Sequence, residues 1–536
     1  MKKVIISILL FVISSSSFAQ EHAWVYFNNK QDVAAFFANP LSVMSQRSLD
    51  RRDRQGISLD ESDVPITQSY VDQVEVKPGI TVKATSKWMN AVHVLGSISN
   101  INALATLSFV GSIEFAADDL TARNTRTERI IKFKEEDNSN KITYNYGGSL
   151  NQAHQIRADF LHENDYTGSG IMIAVLDNGF PGVNTYDTFS YIRNNNQILG
   201  GYNFIERNTN FYARGTHGLR VLSTIAGKKD GQLVGTAIDA TFYLYITEDT
   251  DSETPLEESY WVEAAERADE NGVDVINTSL GYSVFDDSRY DYTYADMDGD
   301  TAFITRGADI AATKGMIVCN SAGNSGNDSW HYITSPADGD NVFTVGAVDS
   351  NGFIAGFSSY GPTSDGQIKP DILAKGSGTT IIGSDGFITT GSGTSFSSPV
   401  MAGAVASFWQ AFPNKTNFEI MQTIRESADR YSNPTDHEGY GIPNLETAFN
   451  NVANIGDDEL ASLTLYPNPA QNNIYLNGVS NIESATVQIF NVIGKQVLKK
   501  QVSSDLSFDI SSLDSGIYLI KLTLDNTSKT FKIIKK

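Results

Sequence analysis

Between residues 151 and 453 the chain repeats one pattern: a short apolar run, a helix-length segment, then another apolar run. The runs at 171–176, 273–276, 316–320 and 342–348 are apolar nearly throughout and do not alternate, which suits strands covered on both faces. Such strands separated by helical segments specify a mostly parallel sheet between two helical layers, a three-layer α/β architecture. One helix is well marked. Thr254 stands as its N-cap and Pro255 in its first turn; Leu256, Tyr260, Trp261, Ala264, Ala265 and Ala268 form its apolar stripe, and Asn271-Gly272 stops it. In a sheet of this kind strand C-termini and helix N-termini collect along one edge, where ligands bind.

The flanking regions read differently. Residues 1–19 have two lysines, a ten-residue apolar run and a Ser17-x-Ala19 ending, the pattern of a signal peptide. That run is too short to span a bilayer, which needs about 20 residues, and no other apolar run is longer. Residues 20–117 show strands at 23–27, 80–84, 91–95 and 110–115, with a helix at 101–107 capped by Asn100, and so predict a small α/β unit. Residues 118–150 are polar, carry Arg123, Arg126 and Arg129, and read as a linker open to proteolysis. A second linker is expected at 454–462. Beyond it, 463–536 consists of short strand-like runs separated by Gly, Asn, Asp and Ser, the pattern of a small β-sandwich. Eight lysines against five carboxylates give this last region a charge of +3, leaving −26 for residues 1–462.

A net charge of −23 argues against nucleic acid or an anionic membrane as the main partner. The single cysteine, Cys319, excludes an intrachain disulfide and a Cys/His metal cluster; within an apolar strand it reads as a small buried hydrophobe.

Three segments of the middle region carry the residue types of nucleophilic catalysis. Ala174-Val-Leu-Asp177-Asn-Gly179 puts an aspartate where a buried strand ends. Gly215-Thr-His217-Gly-Leu-Arg-Val221 puts a histidine at the start of a helix. Gly393-Thr-Ser395-Phe-Ser-Ser-Pro399 puts a serine at the start of a helix of small residues expected at 400–412. A serine hydroxyl is a weak nucleophile until a base takes its proton, and the base needs a third group to orient it.

Across 151–453 these segments, in the order Asp, His, Ser, resemble those of the subtilisin-like serine proteases. So do Asn277-Thr-Ser-Leu-Gly281, Ser321-Ala-Gly-Asn324, Phe357-Ser-Ser-Tyr-Gly-Pro362 and Gly439-Tyr-Gly-Ile-Pro443. Asn178 departs from the small Ser or Thr usual after the aspartate. The resemblance implies a secreted serine endopeptidase acting on polypeptides through an acyl-enzyme, with Asp177, His217 and Ser395 as the triad. It implies Asn324 as oxyanion donor, and Ser279, Leu280, Gly281 and Gly323 as substrate-binding residues. It also implies that residues 20–117 are a propeptide with a ferredoxin-like fold, acting as intramolecular inhibitor. No organic cofactor is required. Structural calcium is left open, with Asp296, Asp298 and Asp300 as candidate ligands and capping of a helix at 302–314 by Asp300 or Thr301 as the competing role.

The last region contains Leu465-Tyr-Pro-Asn-Pro-Ala470, Leu513-Asp-Ser-Gly-Ile-Tyr-Leu-Ile-Lys521 and the basic Lys532-Ile-Ile-Lys-Lys536. It resembles the C-terminal sorting domains of the type IX secretion route of Gram-negative bacteria. The implied partner is the outer-membrane secretion machinery, and the implied destination is the exterior or the cell surface, reached through the periplasm. Neither Gly-x-Ser-x-Gly nor His-Glu-x-x-His occurs, so an α/β-hydrolase elbow and a zinc protease are both unsupported. The remaining alternative is an inactive subtilisin-like surface adhesin. Such a protein is expected to have lost one of Asp177, His217, Ser395 or Asn324, and all four are present.

Overall fold

A computed structural model describes residues 20–120, 144–462, 464–477, 486–491, 495–502, 506–524 and 527–536. The expected signal peptide and most of the first expected linker lie outside the described residues. The chain divides into two compact units that part at Leu445–Glu446.

In the first unit the N-terminal region forms a four-stranded antiparallel sheet in the order Ile80–Ser86, Ala91–Gly96, Glu21–Phe27, Val110–Phe115. The helices Gln68–Glu75 and Ile98–Ala103 complete a β-α-β-β-α-β chain, the split βαβ arrangement of ferredoxin-like folds. Val25, Val74, Val94, Ile101 and Phe115 are among the residues of its core. The second helix begins earlier than the sequence suggested. Its cap is Ser97, whose Oγ accepts the Asn100 N–H at 3.2 Å, so Asn100 lies inside the first turn and is not the cap.

This sheet lies on two helices of the larger α/β body, Leu256–Asn271 and Phe303–Thr313. Trp24 stacks on Phe303 at 4.7 Å and donates to Ser259 Oγ at 2.8 Å. Glu266 accepts from Ser86 Oγ at 2.6 Å and from the backbone N–H groups of Lys87 and Trp88 at 3.1 and 2.9 Å. A buried carboxylate thus takes up donors at the end of a strand that the sheet itself leaves unpaired.

The larger body has seven parallel strands in the order Ile372–Lys375, Phe343–Val348, Ile317–Ser321, Val275–Thr278, Met172–Asp177, Thr241–Ile246, Ile198–Asn203. Every residue of Met172–Asp177 and Phe343–Val348 is buried, as the unbroken apolar runs require. Met172, Ala174 and Leu176 join the cluster of Trp261, Ala264 and Phe303 on one face. By strand alternation Ile173 and Val175 point to the other face. Burial of the Cys319 thiol pushes its pKa up, consistent with an inert packing role. The well-marked helix spans Leu256–Asn271 and ends at Gly272 with φ 83°; its N-cap position is Pro255 and no side chain caps it, so Thr254 is not the cap.

The stretch 454–462, expected as a linker, is the second half of a helix, Leu445–Ser462. The second unit continues as three- and four-stranded antiparallel sheets. Their core includes Ile474, Leu476, Val487, Ile489, Phe508, Ile520 and Ile533. The strand Asn473–Asn477 alternates exposed and buried residues, as in a sandwich with one wet face. Among the described residues no helix is long and apolar enough to cross a membrane.

Candidate active site

The chain leaves Met172–Asp177 toward one edge of the sheet and later returns to its other side at Val275–Thr278, so these two neighbours flank the switch in strand order. A crevice opens beyond the carboxyl ends of strands at such a point. Asp177 ends the first strand and Ser279 follows the second, which is why both lie there.

His217 opens the helix His217–Ala226. Its Nδ1–H donates to Asp177 Oδ1 at 2.9 Å, with Oδ2 at 3.0 Å. Asp177 is 2% exposed, so the carboxylate end of this hydrogen bond is sheltered from water. The contact fixes the tautomer and leaves Nε2 as the basic atom. Glycines on either side of the histidine permit the close approach. A Cβ on Gly218 would lie 2.7 Å from Gly179 O and 2.9 Å from Asp177 Cβ, and one on Gly215 would meet the Asn178 amide at 2.4 Å. Asn178, which sequence comparison marked only as a departure, has a definite task. Its Oδ1 accepts the His217 backbone N–H at 3.0 Å and so holds the helix start against the strand end.

Burial alone would lower the His217 pKa, but the Asp177 carboxylate, by its charge and its hydrogen bond, raises it, and the net shift is upward. A general base must be neutral. The acid limb of the kcat/KM–pH profile is therefore expected above 6.5, the ordinary imidazole value, with activity lost as the pH falls through it. A limb at or below that value would show that Asp177 does not act on this ring.

Ser395 is the second residue of the helix Thr394–Ala411, which begins six residues earlier than the sequence suggested and contains Pro399. Proline cannot donate to the carbonyl four residues back. The freed Ser395 carbonyl instead accepts from Ser279 Oγ at 3.1 Å. Ser395 Oγ donates to the Ser279 carbonyl at 3.2 Å and is not hydrogen-bonded to His217. Catalytic hydrogen bonds often tighten only when substrate is bound. The His217 ring lies 6.0 Å from that of Phe396, the residue after the serine.

Asn324 stands in the turn after the strand Ile317–Ser321. Its Oδ1 accepts from Thr394 N at 2.8 Å and Thr394 Oγ1 at 3.0 Å. Because the Thr394 N–H can only donate, the oxygen of the amide is identified and its NH₂ is left out of this contact. A Cβ on Gly393 would be 3.7 Å from Asn324 Oδ1 and 3.8 Å from both Asn324 Nδ2 and the Ser395 backbone N, so the Asn324 amide and the Ser395 N–H flank one small space. Sequence reasoning missed Thr394, whose only signal is its place before the serine. Gly323, with φ 107°, donates its N–H to the same threonine hydroxyl, whose single proton is shared between Asn324 Oδ1 and the Gly323 carbonyl at 3.0 and 3.1 Å. The Leu280 carbonyl is held by Asn320 Nδ2 at 3.3 Å and Ser321 Oγ at 3.4 Å, and exposed Gly281 follows it.

Asp296, Asp298 and Asp300 do not come together as a metal site. Asp296 accepts from Thr293 N and Oγ1, both at 2.7 Å. Asp298 accepts from the N–H groups of Asp300 and Thr301 at 3.0 and 2.8 Å. These carboxylates close local turns, and among the described residues no three His, Cys, Asp or Glu side chains are placed to hold a metal ion. Nor do Asp300 and Thr301 cap the following helix, Phe303–Thr313, whose N-cap position is Ala302.

Residues 168–442 match the subtilase family model, residues 22–132 the Peptidase S8 propeptide domain of Bacteroidota, and residues 464–536 a secretion system C-terminal sorting domain. Subtilisin NAT of Bacillus subtilis subsp. natto is 29% identical over 348 residues, which cover 63% of this chain and 81% of the relative. The subtilisin of Bacillus pumilus is 31% identical over 301 residues, covering 55% and 96% respectively.

Proposed function

Because the chain belongs to the subtilase family and is a subtilisin-like serine endopeptidase, we propose that it hydrolyses peptide bonds through an acyl-enzyme on Ser395, with His217 as base and Asp177 as its orienting partner. The observation that carries this reading is the Asp177–His217 hydrogen bond at the switch point of the sheet, beside the Ser395 helix start. His217 Nε2 takes the proton from Ser395 Oγ as it attacks the carbonyl carbon, then returns it to the leaving amine. Asp177 stabilises the imidazolium between the two transfers. Water then repeats the sequence on the acyl-enzyme and releases the acid. Labelling of Ser395 by a fluorophosphonate tests the reading. An unreactive serine in the matured protein would favour a binding protein built on the same fold.

Charge develops on the carbonyl oxygen at the tetrahedral stage, where the Asn324 NH₂ and the Ser395 backbone N–H are the donors available to it. Asn324→Ala should therefore lower kcat by roughly 10²–10³ with little change in KM, since the ground-state carbonyl gains little from these donors. A comparable rise in KM with kcat unchanged would assign Asn324 to substrate binding instead.

The N-terminal region acts as an intramolecular inhibitor that must be removed, and calcium, compatible with the family, would support stability and take no part in the chemistry. The sorting domain implies export; passage through the periplasm is part of this proposal.

A further inference from the structure

A cavity of about 260 Å³ opens beside His217. Asp177, His217 and the segment Ser279–Gly281 form one wall; Glu248, Asp249, Glu253 and Glu257 supply the other. Glu248, Asp249 and Glu253 belong to the connection between the strand Thr241–Ile246 and the helix Leu256–Asn271, and Glu257 to the first turn of that helix; the connection leaves the sheet at the same edge as Asp177. The charge of Asp249 is met by Arg214. Among the described residues no Lys or Arg pairs with Glu248, Glu253 or Glu257.

Glu257 is 2% exposed. One of its oxygens accepts the Asp249 N–H at 2.5 Å, while Oε2 is buried without a hydrogen-bond partner. Such an atom has lost its water and received nothing in return. Burial, together with the neighbouring carboxylates, pushes Glu257 up to about 10 and Glu248 up to about 8. Carboxyl groups crowded together away from water hold protons that an incoming cation would displace. A bare metal ion does not answer this need, because no three of the acidic side chains are placed to ligate one. What does answer it is a cation carried on a long stem that enters from the cleft, as in lysine or arginine.

We propose that this cavity is a substrate subsite for a lysine or arginine side chain on the acyl side of the scissile bond, with Glu253 and Glu257 as its specificity-determining carboxylates. The inference rests on the peptidase reading, in which substrate pairs as an added strand along Ser279–Gly281. The chain itself carries basic sequence that such a subsite could test: Arg123, Arg126 and Arg129 lie in the 118–150 segment, at the end of the propeptide match.

The secreted, matured enzyme assayed on position-scanned peptide libraries should favour Arg or Lys over Gln at one acyl-side position by roughly 10–100-fold in kcat/KM. Glu257→Gln and Glu253→Gln should each shrink that ratio, and Glu253→Lys should turn the preference toward Glu. If the buried Glu257→Gln variant fails to fold, the half-buried Glu253 gives the same readout. A flat profile at every acyl-side position, or a basic preference unchanged in Glu253→Lys, overturns the subsite while leaving the peptidase reading intact. If no peptide is cleaved and fluorophosphonate leaves Ser395 unlabelled, the peptidase reading fails and the subsite fails with it.

Discussion

Ser395→Ala, His217→Ala and Asp177→Asn should each lower kcat on casein by roughly 10⁴–10⁶, and combining them should cost little more than the worst single change. The lack of additivity follows from the geometry. Ser395 is no nucleophile without a base, and His217 is the right base only while Asp177 holds the proton on Nδ1, at 2.9 Å. Removing one member removes the function of the others. Asp177→Asn is informative because it preserves shape: an amide NH₂ facing the imidazole favours the proton on Nε2, the wrong tautomer, without disturbing the buried strand end. The rate that remains should be the part contributed by Asn324 and the Ser395 N–H. A Ser395→Ala enzyme that digests casein at the wild-type rate would sink the assignment, and additive losses would argue that the three residues do not act as one unit.

The candidate triad comes from the resemblance to subtilisin-like proteases added to weak local signals: a buried strand running out at Asp177, a helix start at His217, and a small-residue helix after Ser395. Parallel topology brings strand ends and helix starts to one edge, where Asp177 meets His217. What the sequence hid depends on pairings between distant segments. Nothing near Pro399 announces that the carbonyl it frees is taken by Ser279, nor that Thr394 fixes which end of the Asn324 amide is the donor. The acidic cavity was equally hidden, since Glu248, Glu253 and Glu257 belong to a strand exit, a connection and a helix start, and only the fold turns them on one space. Local errors have local causes. Asn100 and Ser97 are both cap-forming types three residues apart, and propensity cannot choose between them. The aspartates at 296–300 have the composition of a cation loop, but Asp296 and Asp298 accept from nearby backbone N–H groups instead. The stretch 454–462 reads as a linker, yet the helix Leu445–Ser462 runs through it.

Deleting residues 463–536 should leave peptidase activity intact and abolish release, so that enzyme accumulates in the periplasm. All four residues assigned to the chemistry precede position 396, and the two units have separate cores. One is built around residues such as Trp261, Ile276 and Val318, the other around Ile474, Val487 and Ile520. A unit with its own core can be removed without opening a cavity in its neighbour, so the truncated enzyme should fold and mature. The charge reversal to +3 and the match of 464–536 to a secretion sorting domain mark the tail as an address read by the export machinery. An address has no use after delivery, and intact-mass measurement of the extracellular enzyme should find it missing. Fractionation of cells expressing the truncated form checks the first part: activity confined to the periplasm supports the address, and normal release refutes it. If the truncated enzyme instead unfolds at a temperature where the full chain survives, the tail stabilises the catalytic body, and a structural role replaces the address.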